Sequence, residues 1–316
     1  MIINTIEQLK LTAKINRSTP FEAFEPFLQE ARDTYLVRYL GEEMVQVLEM
    51  ETVPSRATVL LELTQKALGP LALWLGISEL SVRMGDAGFT VEKRDGSNNG
   101  AGYVPASDAK IEKLAESFER RGFAYLDQVL EHLEANASDF PEWRNSRYYS
   151  LRAGNYIQSA TQFQDIGGVN IEYSRLTFEH LRPVMGMIEM RIVSELLGDV
   201  LDASLRSKLN GLQTAVEKQL ITAIRHFVAC KTAELHTSQA SKTNRETQKE
   251  KEYKPLIRPV YADVASTGNF FAEQAAFYYS KVQQLLNANA VELGVTPIDG
   301  ALNWNNTDNK IFTDIG

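Results

Sequence analysis

Cysteine and histidine are scarce in this sequence of 316 residues. A single cysteine, Cys230, excludes an internal disulfide and any zinc site built from cysteines. The four histidines, His132, His180, His226 and His236, lie far apart and lack the spacing of a metal-binding pair on one helix. The sequence therefore predicts no metal site and no cofactor site.

Long apolar runs are also missing. The longest, residues 68–77, is too short to cross a bilayer and contains Gly69 and Pro70. The sequence does not open with a basic and apolar leader, so we expect neither export nor membrane association. Acidic residues outnumber basic ones, 41 against 33, and the net charge is −8. That balance argues against a protein whose main function is to bind a nucleic-acid backbone.

The sequence carries no catalytic fingerprint. Cys230 lies in an apolar stretch, which is typical of a small core residue. The run from Gly96 to Gly102 resembles a phosphate-binding loop, but no Gly-Lys-Ser/Thr follows it, and we interpret it as a flexible loop. Carboxylates spaced along amphipathic helices are typical of solvated faces. The sequence therefore predicts a protein that is not an enzyme.

The chain repeats itself. Five residues around one predicted helix recur at a constant offset: Phe21 as Phe178, Glu22 as Glu179, Pro26 as Pro183, Leu40 as Leu197, and Gly41 as Gly198. A later echo, Phe163 to Gly167 against Phe312 to Gly316, indicates the end of each copy. Because solenoid repeats are only about 20 to 50 residues long, this period indicates two copies of a domain. We predict a first domain over residues 1–167 and a second over residues 168–316.

Apolar periodicity predicts about three helices in each copy. The first of them ends at Gly41 or Gly198, where we expect a left-handed turn. The second and third helices are predicted at about residues 56–84 and 107–135 in the first copy, and 205–235 and 269–290 in the second. Pro70 should kink or interrupt its helix. The predicted fold is mainly α: two tandem duplicated helical domains with minor β structure and long mid-domain loops.

Each copy leaves regular helix after its second helix, and long loops in compact domains are often functional. A loop at the same point in both copies favours contact with a partner. The predicted contact residues lie in these loops and in the last segment: Asp95, Asn98, Asn99, Tyr103, Lys242, Arg245, Lys249, Lys251, Tyr253, Ile311 and Phe312. We also predict that Phe140-Pro-Glu-Trp143 and Tyr148-Tyr149 anchor the tail of the first copy, and that residues 163–167 form an edge strand.

The first copy resembles a known group of proteins. Its helix from Pro26 to Leu40-Gly41, followed by an apolar helix, a strand-like loop, a third helix and Phe140-Pro-Glu-Trp143, is similar to an uncharacterised family encoded in Bacteroidetes phages and prophages. More distantly, it resembles the head-tail connector (adaptor) proteins of tailed phages. The second copy keeps the Leu-Gly end of the helix, at Gly198, but lacks the Phe-Pro-Glu-Trp segment.

This resemblance implies a structural protein of the virion neck, made in the bacterial host cytoplasm. It implies a homo-oligomeric ring of six or twelve copies that docks on the portal protein and presents a platform to tail or stopper proteins. DNA would make only passing contact with the lumen. One alternative is a cytosolic helical module that binds a protein partner without catalysis. Another is a helical enzyme whose site is assembled from scattered Glu, Tyr and Arg residues.

Overall fold

The chain divides into two units, Met1–Leu151 and Arg152–Gly316. The structure, a computed structural model, describes residues 1–13, 15, 20–83, 90–93, 102–105, 107–152, 154–243, 258–259 and 267–297. Helices dominate this part of the chain, so the predicted mainly α fold is confirmed.

The first unit contains eight α-helices and two strands among its described residues. They are α1 (Ile6–Thr12), α2 (Glu25–Ala31), α3 (Val37–Leu40), α4 (Glu42–Leu48), α5 (Thr58–Arg83), β1 (Thr90–Lys93), β2 (Gly102–Pro105), α6 (Asp108–Ala135), α7 (Pro141–Arg144) and α8 (Arg147–Ser150). A π-helical turn, π1 (Arg32–Leu36), connects α2 to α3 without a break.

Over its described residues, the second unit repeats the order of the first up to its last long helix, except that one strand precedes the helix that corresponds to α2. Its elements are α9 (Ala160–Gly167), β3 (Val169–Asn170), α10 (Arg175–Ile188), α11 (Ser194–Leu197), α12 (Asp199–Ser207), α13 (Ala215–Thr243), β4 (Arg258–Pro259), α14 (Thr267–Ala288) and α15 (Ala290–Leu293). A second π-helical turn, π2 (Glu189–Val193), connects α10 to α11.

Two long helices form the centre of each unit. In the first unit α5 packs along α6, and α2 lies against α5; in the second α13 packs along α14, and α10 lies against α13. Pro70 was expected to kink or interrupt α5, but the helix continues through it from Thr58 to Arg83. Leu68 and Leu71 on either side of Pro70 are buried, so packing compensates for the hydrogen bond that proline cannot donate.

The predicted minor β structure is present in both units. In the first, β1 and β2 pair antiparallel, with Lys93 opposite Gly102. In the second, β3 and β4 pair antiparallel, with Val169 opposite Pro259. The second helix of the second copy was predicted to end near residue 235, but α13 extends to Thr243.

A glycine turn occupies the same place in both units. Gly41 connects α3 to α4 with φ +84° and ψ 151°, and Gly198 connects α11 to α12 with φ +73° and ψ 153°. The left-handed turn predicted here is therefore wrong in detail, because a left-handed residue has ψ near +45°. This combination of positive φ and extended ψ is open to glycine and strained for any residue with a Cβ.

The two units also begin in the same way. The Thr5 hydroxyl caps α1 by accepting from the Gln8 amide at 3.2 Å, and the Gln8 side chain accepts from the Asn4 amide at 2.9 Å. In the second unit, Ser159 caps α9 through the amide of Gln162 at 3.2 Å. The Gln162 side chain accepts from the residue before the cap at 2.9 Å, as Gln8 does. The second copy therefore starts shortly before α9.

The predicted domain boundary after residue 167 moves to Leu151 for this reason. Residues 163–167 were expected to form an edge strand that ends the first copy, but they belong to α9. Phe163 is fully buried in the core of the second unit, together with Tyr156 and Phe178. Burial of these aromatic side chains attaches residues 152–167 to the second unit.

The predicted anchors of the first tail are confirmed. Phe140, Trp143 and Tyr148 are all buried, and the half-buried Tyr149 ring lies 4.8 Å from the ring of Trp143. The Trp143 indole N–H donates to the backbone carbonyl of Tyr39 at 3.3 Å, and the Tyr39 and Tyr148 rings meet edge to face at 5.6 Å. The tail of the first unit is thus fixed against the end of α3.

The two glycine turns provide a matched test of this arrangement. Alanine at Gly198 would meet no atom within 4 Å, whereas alanine at Gly41 would place its Cβ 2.8 Å from the Ser146 Cβ. Gly198→Ala should lower the free energy of unfolding by about 1–3 kcal/mol through backbone strain alone. Gly41→Ala should lower the free energy of unfolding by more than this, because the α7–α8 segment must also move.

Chemical denaturation of both variants, followed by circular dichroism, measures the two losses. An equal loss in the two variants would show that the contact with Ser146 contributes nothing. No loss in either would show that the turn tolerates a side chain.

Candidate functional site

The predicted contact residues are only partly within the described ranges. Tyr103 lies in β2, opposite Glu92, and Lys242 lies in the last turn of α13. The others lie outside the residues that the structure describes: Asp95, Asn98, Asn99, Arg245, Lys249, Lys251, Tyr253, Ile311 and Phe312. The hairpin β1–β2 brackets the first predicted contact loop, because Lys93 and Gly102 are its closing pair.

The repeat residues do not form a surface site. Leu40 and Leu197 are buried, and with Gly41 and Gly198 they form the helix junctions. Pro26 lies in the first turn of α2, where its missing N–H costs nothing. Its counterpart Pro183 lies inside α10. The repeat is a structural framework, and any site must be built upon it.

A partly buried arginine joins three carboxylates at the junction of the first unit. Arg32, the first residue of π1, donates to Glu49 at 2.9 Å, to Glu42 at 2.7 Å and to Asp33 at 2.8 Å. Its side chain is only 12% exposed, whereas those of Asp33 and Glu42 are 55% and 47% exposed. The outer rim of this cluster therefore presents negative charge to solvent.

The second unit has the same ion pair with its charges exchanged. Glu189 takes the position of Arg32 at the start of π2, and Arg206 takes the position of Glu49. The Arg206 guanidinium donates to Glu189 at 2.9 Å, which is the distance of the Arg32 to Glu49 contact in the first unit. An ion pair thus joins the equivalent elements of the two units, π1 to α4 and π2 to α12, with the positions of the charges exchanged.

Further polar groups surround this second ion pair. Asp202 accepts from the Tyr156 hydroxyl at 2.6 Å, from the Ser194 hydroxyl at 2.8 Å and from Arg206 at 3.0 Å. The second oxygen of Glu189 accepts from the Tyr156 amide at 3.0 Å. Arg206 also lies over the Tyr156 ring, 4.6 Å from its centre. Every oxygen of the two carboxylates therefore has a donor, as burial requires.

Burial changes the protonation of this cluster. Burial raises the pKa of Glu189 to about 7 and outweighs the attraction of Arg206. Burial and the hydrogen bond to Asp202 also raise the pKa of Tyr156. For Asp202, burial is outweighed by hydrogen bonds from Tyr156, Ser194 and Arg206, which lower its pKa. One carboxylate of the pair is thus held ionised, and the other titrates near neutral pH.

A small cavity of about 310 Å³ opens beside the cluster. It is lined by Asn155, Gly186, Glu189, Met190, Ser194, Asp202 and Arg206. All four carboxylate oxygens of Glu189 and Asp202 already accept hydrogen bonds from within the protein. We interpret this cluster as a structural network.

A larger groove of about 630 Å³ lies between α13 and α14. Its lining is mostly apolar and consists of Ala215, Lys218, Gln219, Thr222, Ala223, His226, Tyr278, Lys281 and Leu285. Two of its lining rings, those of His226 and Tyr278, stack 4.3 Å apart with planes at 4°. Burial lowers the pKa of His226, so this ring is neutral at pH 7. We call this surface the α13–α14 groove.

Several large apolar side chains on and beside α13 and α14 in sequence are exposed. Leu212 and Val291 are each 97% exposed, and Phe277 is 61% exposed. A hydrogen bond of 3.4 Å between Thr214 and Glu292 places Leu212 and Val291 at the same end of the helix pair. Exposed large apolar side chains on such a helix pair are typical of a protein-binding surface. Sequence reasoning missed this surface, because helical periodicity shows an apolar stripe but not what covers it.

The remaining chemistry is sparse. Among the described residues, no group of three or more His, Cys, Asp or Glu side chains is placed to hold a metal ion. Burial raises the pKa of Cys230 to about 12, so its thiol stays protonated at pH 7. No helix within the described ranges is long and apolar enough to span a membrane.

The raised pKa of Glu189 predicts a pH dependence of stability. Between the ordinary value of 4.5 and about 7, the folded second unit holds a proton that the unfolded chain releases. The folded state is therefore favoured at pH 4.5, and this contribution, on the order of 3 kcal/mol, is lost as pH rises to 7. Glu189→Gln should remove that slope.

Unfolding free energies of both proteins at half-unit steps from pH 4.5 to 7.5 measure the effect. Glu112→Gln, on an exposed site of α6, controls for the loss of one carboxylate. If the unfolding free energy of Glu189→Gln still falls with pH, the pH dependence belongs to another group.

The exchanged ion pairs predict unequal costs for losing the arginine. Arg206→Ala leaves Glu189, whose side chain is 2% exposed, buried without its cation. We expect a loss of about 3–5 kcal/mol at pH 8. Arg32→Ala leaves carboxylates that water reaches, so a loss of about 1 kcal/mol is expected. Hydrogen exchange measured on peptides from α4 and α12 reports the stability of each unit separately. Equal losses of stability in the two variants would contradict the larger cost expected from leaving Glu189 unpaired.

Comparison with known proteins gives a family match over the first unit. The model described as "Family of unknown function (DUF6712)" matches residues 7–153. No curated protein and no solved structure matches the chain. The match ends just after Leu151, where the first unit ends. Over its first unit, the chain is therefore similar to this family.

Proposed function

We propose that this protein is a structural virion protein, a head-tail connector (adaptor) that forms part of the neck ring between portal and tail. The observation that carries the proposal is the repeated junction of helix, π-turn, glycine and helix. That junction contains the Leu-Gly helix end on which the resemblance to connector proteins rests. It occurs twice, at Leu40-Gly41 and Leu197-Gly198, with matching backbone angles.

A duplicated subunit suits a ring in two ways. Six copies would give a closed ring of twelve similar units, and twelve copies would add a second tier of units. Rings require heterologous contacts, in which one face of a subunit meets a different face of the next. The different surfaces of the two units support this, because the exposed Asp33 of the first unit is replaced by the exposed Met190 in the second.

The proposed partners are the portal protein on one side and tail or stopper proteins on the other. The mid-unit loops, which include Asn98 and Lys249, and the segment with Ile311 are the proposed contact points. A net charge of −8 suits a lumen that lets DNA pass without gripping it. No catalytic step is part of this proposal.

The second candidate is a cytosolic helical module that binds a protein partner. The α13–α14 groove favours it, because a mostly apolar groove of about 630 Å³ between two helices is able to hold a partner segment. This candidate requires a monomer or dimer that does not associate with virions.

Quantitative mass spectrometry of purified, DNA-filled particles from the source culture separates these two candidates. The connector proposal predicts this chain in the particles at one copy, or one half copy, per portal subunit. The major capsid protein in the same digest calibrates the count. Absence from particles together with abundance in the cytosol would overturn the connector proposal and favour the binding module.

A further inference from the structure

The α13–α14 groove has a basic rim. Lys218 on α13 and Lys281 on α14 are both exposed, and no Asp or Glu is among the residues that line the groove. The stacked His226 and Tyr278 and the side chain of Leu285 also line the groove. A partner that fits this groove needs an apolar side chain next to carboxylates.

Such a surface is present on the first unit. Asp33, Glu42 and Glu49 surround Arg32, so three carboxylates share one guanidinium. Met50 follows Glu49 directly and is 51% exposed. Two further acidic side chains, Glu43 and Glu51, are exposed and extend the surface. We define the acidic face as Asp33, Glu42, Glu43, Glu49, Met50 and Glu51.

The second unit lacks this acidic face. Met190 takes the position of Asp33, and Val200 takes the position of Glu43. These two side chains are 69% and 87% exposed. A copy of this chain therefore offers the acidic face once, on its first unit, and the α13–α14 groove once, on its second.

The overall charge follows the same division. Acidic residues outnumber basic ones by seven in Met1–Leu151 and by only one in Arg152–Gly316. Two copies that approach with first unit toward second unit avoid the repulsion between two strongly acidic surfaces. Electrostatics thus favours a head-to-tail contact over a symmetric one between first units.

We propose that the α13–α14 groove binds the acidic face of a second copy of this chain. Met50 enters the apolar groove, and the carboxylates of Glu43 and Glu51 face Lys218 and Lys281. The contact is heterologous and propagates from copy to copy. It rests on the proposed function, because it supplies the subunit contact that a neck ring needs.

Charge reversal with complementation tests this contact. In one variant, Lys218→Glu and Lys281→Glu reverse the groove; in the other, Glu43→Lys and Glu51→Lys reverse the acidic face. All four side chains are exposed, so both variants should fold. Each variant alone should lose self-association by at least about tenfold in dissociation constant. An equimolar mixture should recover it, because every groove then meets a face of opposite charge.

Control variants carry the same charge changes elsewhere. Lys110→Glu with Lys113→Glu, and Glu112→Lys with Glu116→Lys, reverse exposed charges on α6 and should leave association unchanged. Sedimentation velocity at about 0.05 M and 0.5 M salt measures association, which should weaken at the higher salt as exposed charges are screened.

Three outcomes would overturn the proposed contact: a wild-type chain that is monomeric at every concentration, single variants that associate like the wild type, or a mixture that does not recover. The last two would assign the groove to a foreign partner or to a contact within one chain. None of them removes the protein from virions, so the particle measurement tests the connector proposal independently.

Discussion

Each unit depends on a turn that glycine alone makes without strain. Between α3 and α4, and again between α11 and α12, the chain leaves a helix and enters the next within one residue. Gly41 and Gly198 do so with positive φ and extended ψ. A Cβ in that conformation meets its own backbone, so the turn fixes the residue type. This glycine turn directs the next helix back across the π-turn.

The ion pair across this junction follows from the turn. Once the helix after the glycine lies against the π-turn, the first residue of the π-turn faces a residue near the end of that helix. In one unit these residues are Arg32 and Glu49, and in the other they are Glu189 and Arg206. The geometry requires opposite charges but not their order, so the exchange keeps both the fold and the charge sum of the pair. The net charge nevertheless falls almost wholly on the first unit, and this asymmetry favours an assembly of unlike faces.

Much of the fold was predictable, because it is local. Helical periodicity gave α5 and α6 to within a few residues, and Phe140, Trp143 and Tyr148 were recognised as anchors by their size and spacing. The boundary between the units was misplaced because Phe163 to Gly167 repeats the sequence of a later segment, whereas burial of Phe163 with Phe178 decides where it packs. The candidate surface was not predictable. Whether an apolar stripe such as that near Tyr278 is covered depends on helices distant in sequence.

The sequence by itself determined a mainly helical chain, its duplication, and the glycines at the two junctions, since these depend on residue identity and spacing along one segment. Only the tertiary structure decided that Glu189 loses its water and titrates near neutral pH. It alone decided that the groove between α13 and α14 stays open with Lys218 and Lys281 at its rim. Burial and proximity arise when distant segments pack together, and no local pattern records which side chains that packing leaves uncovered.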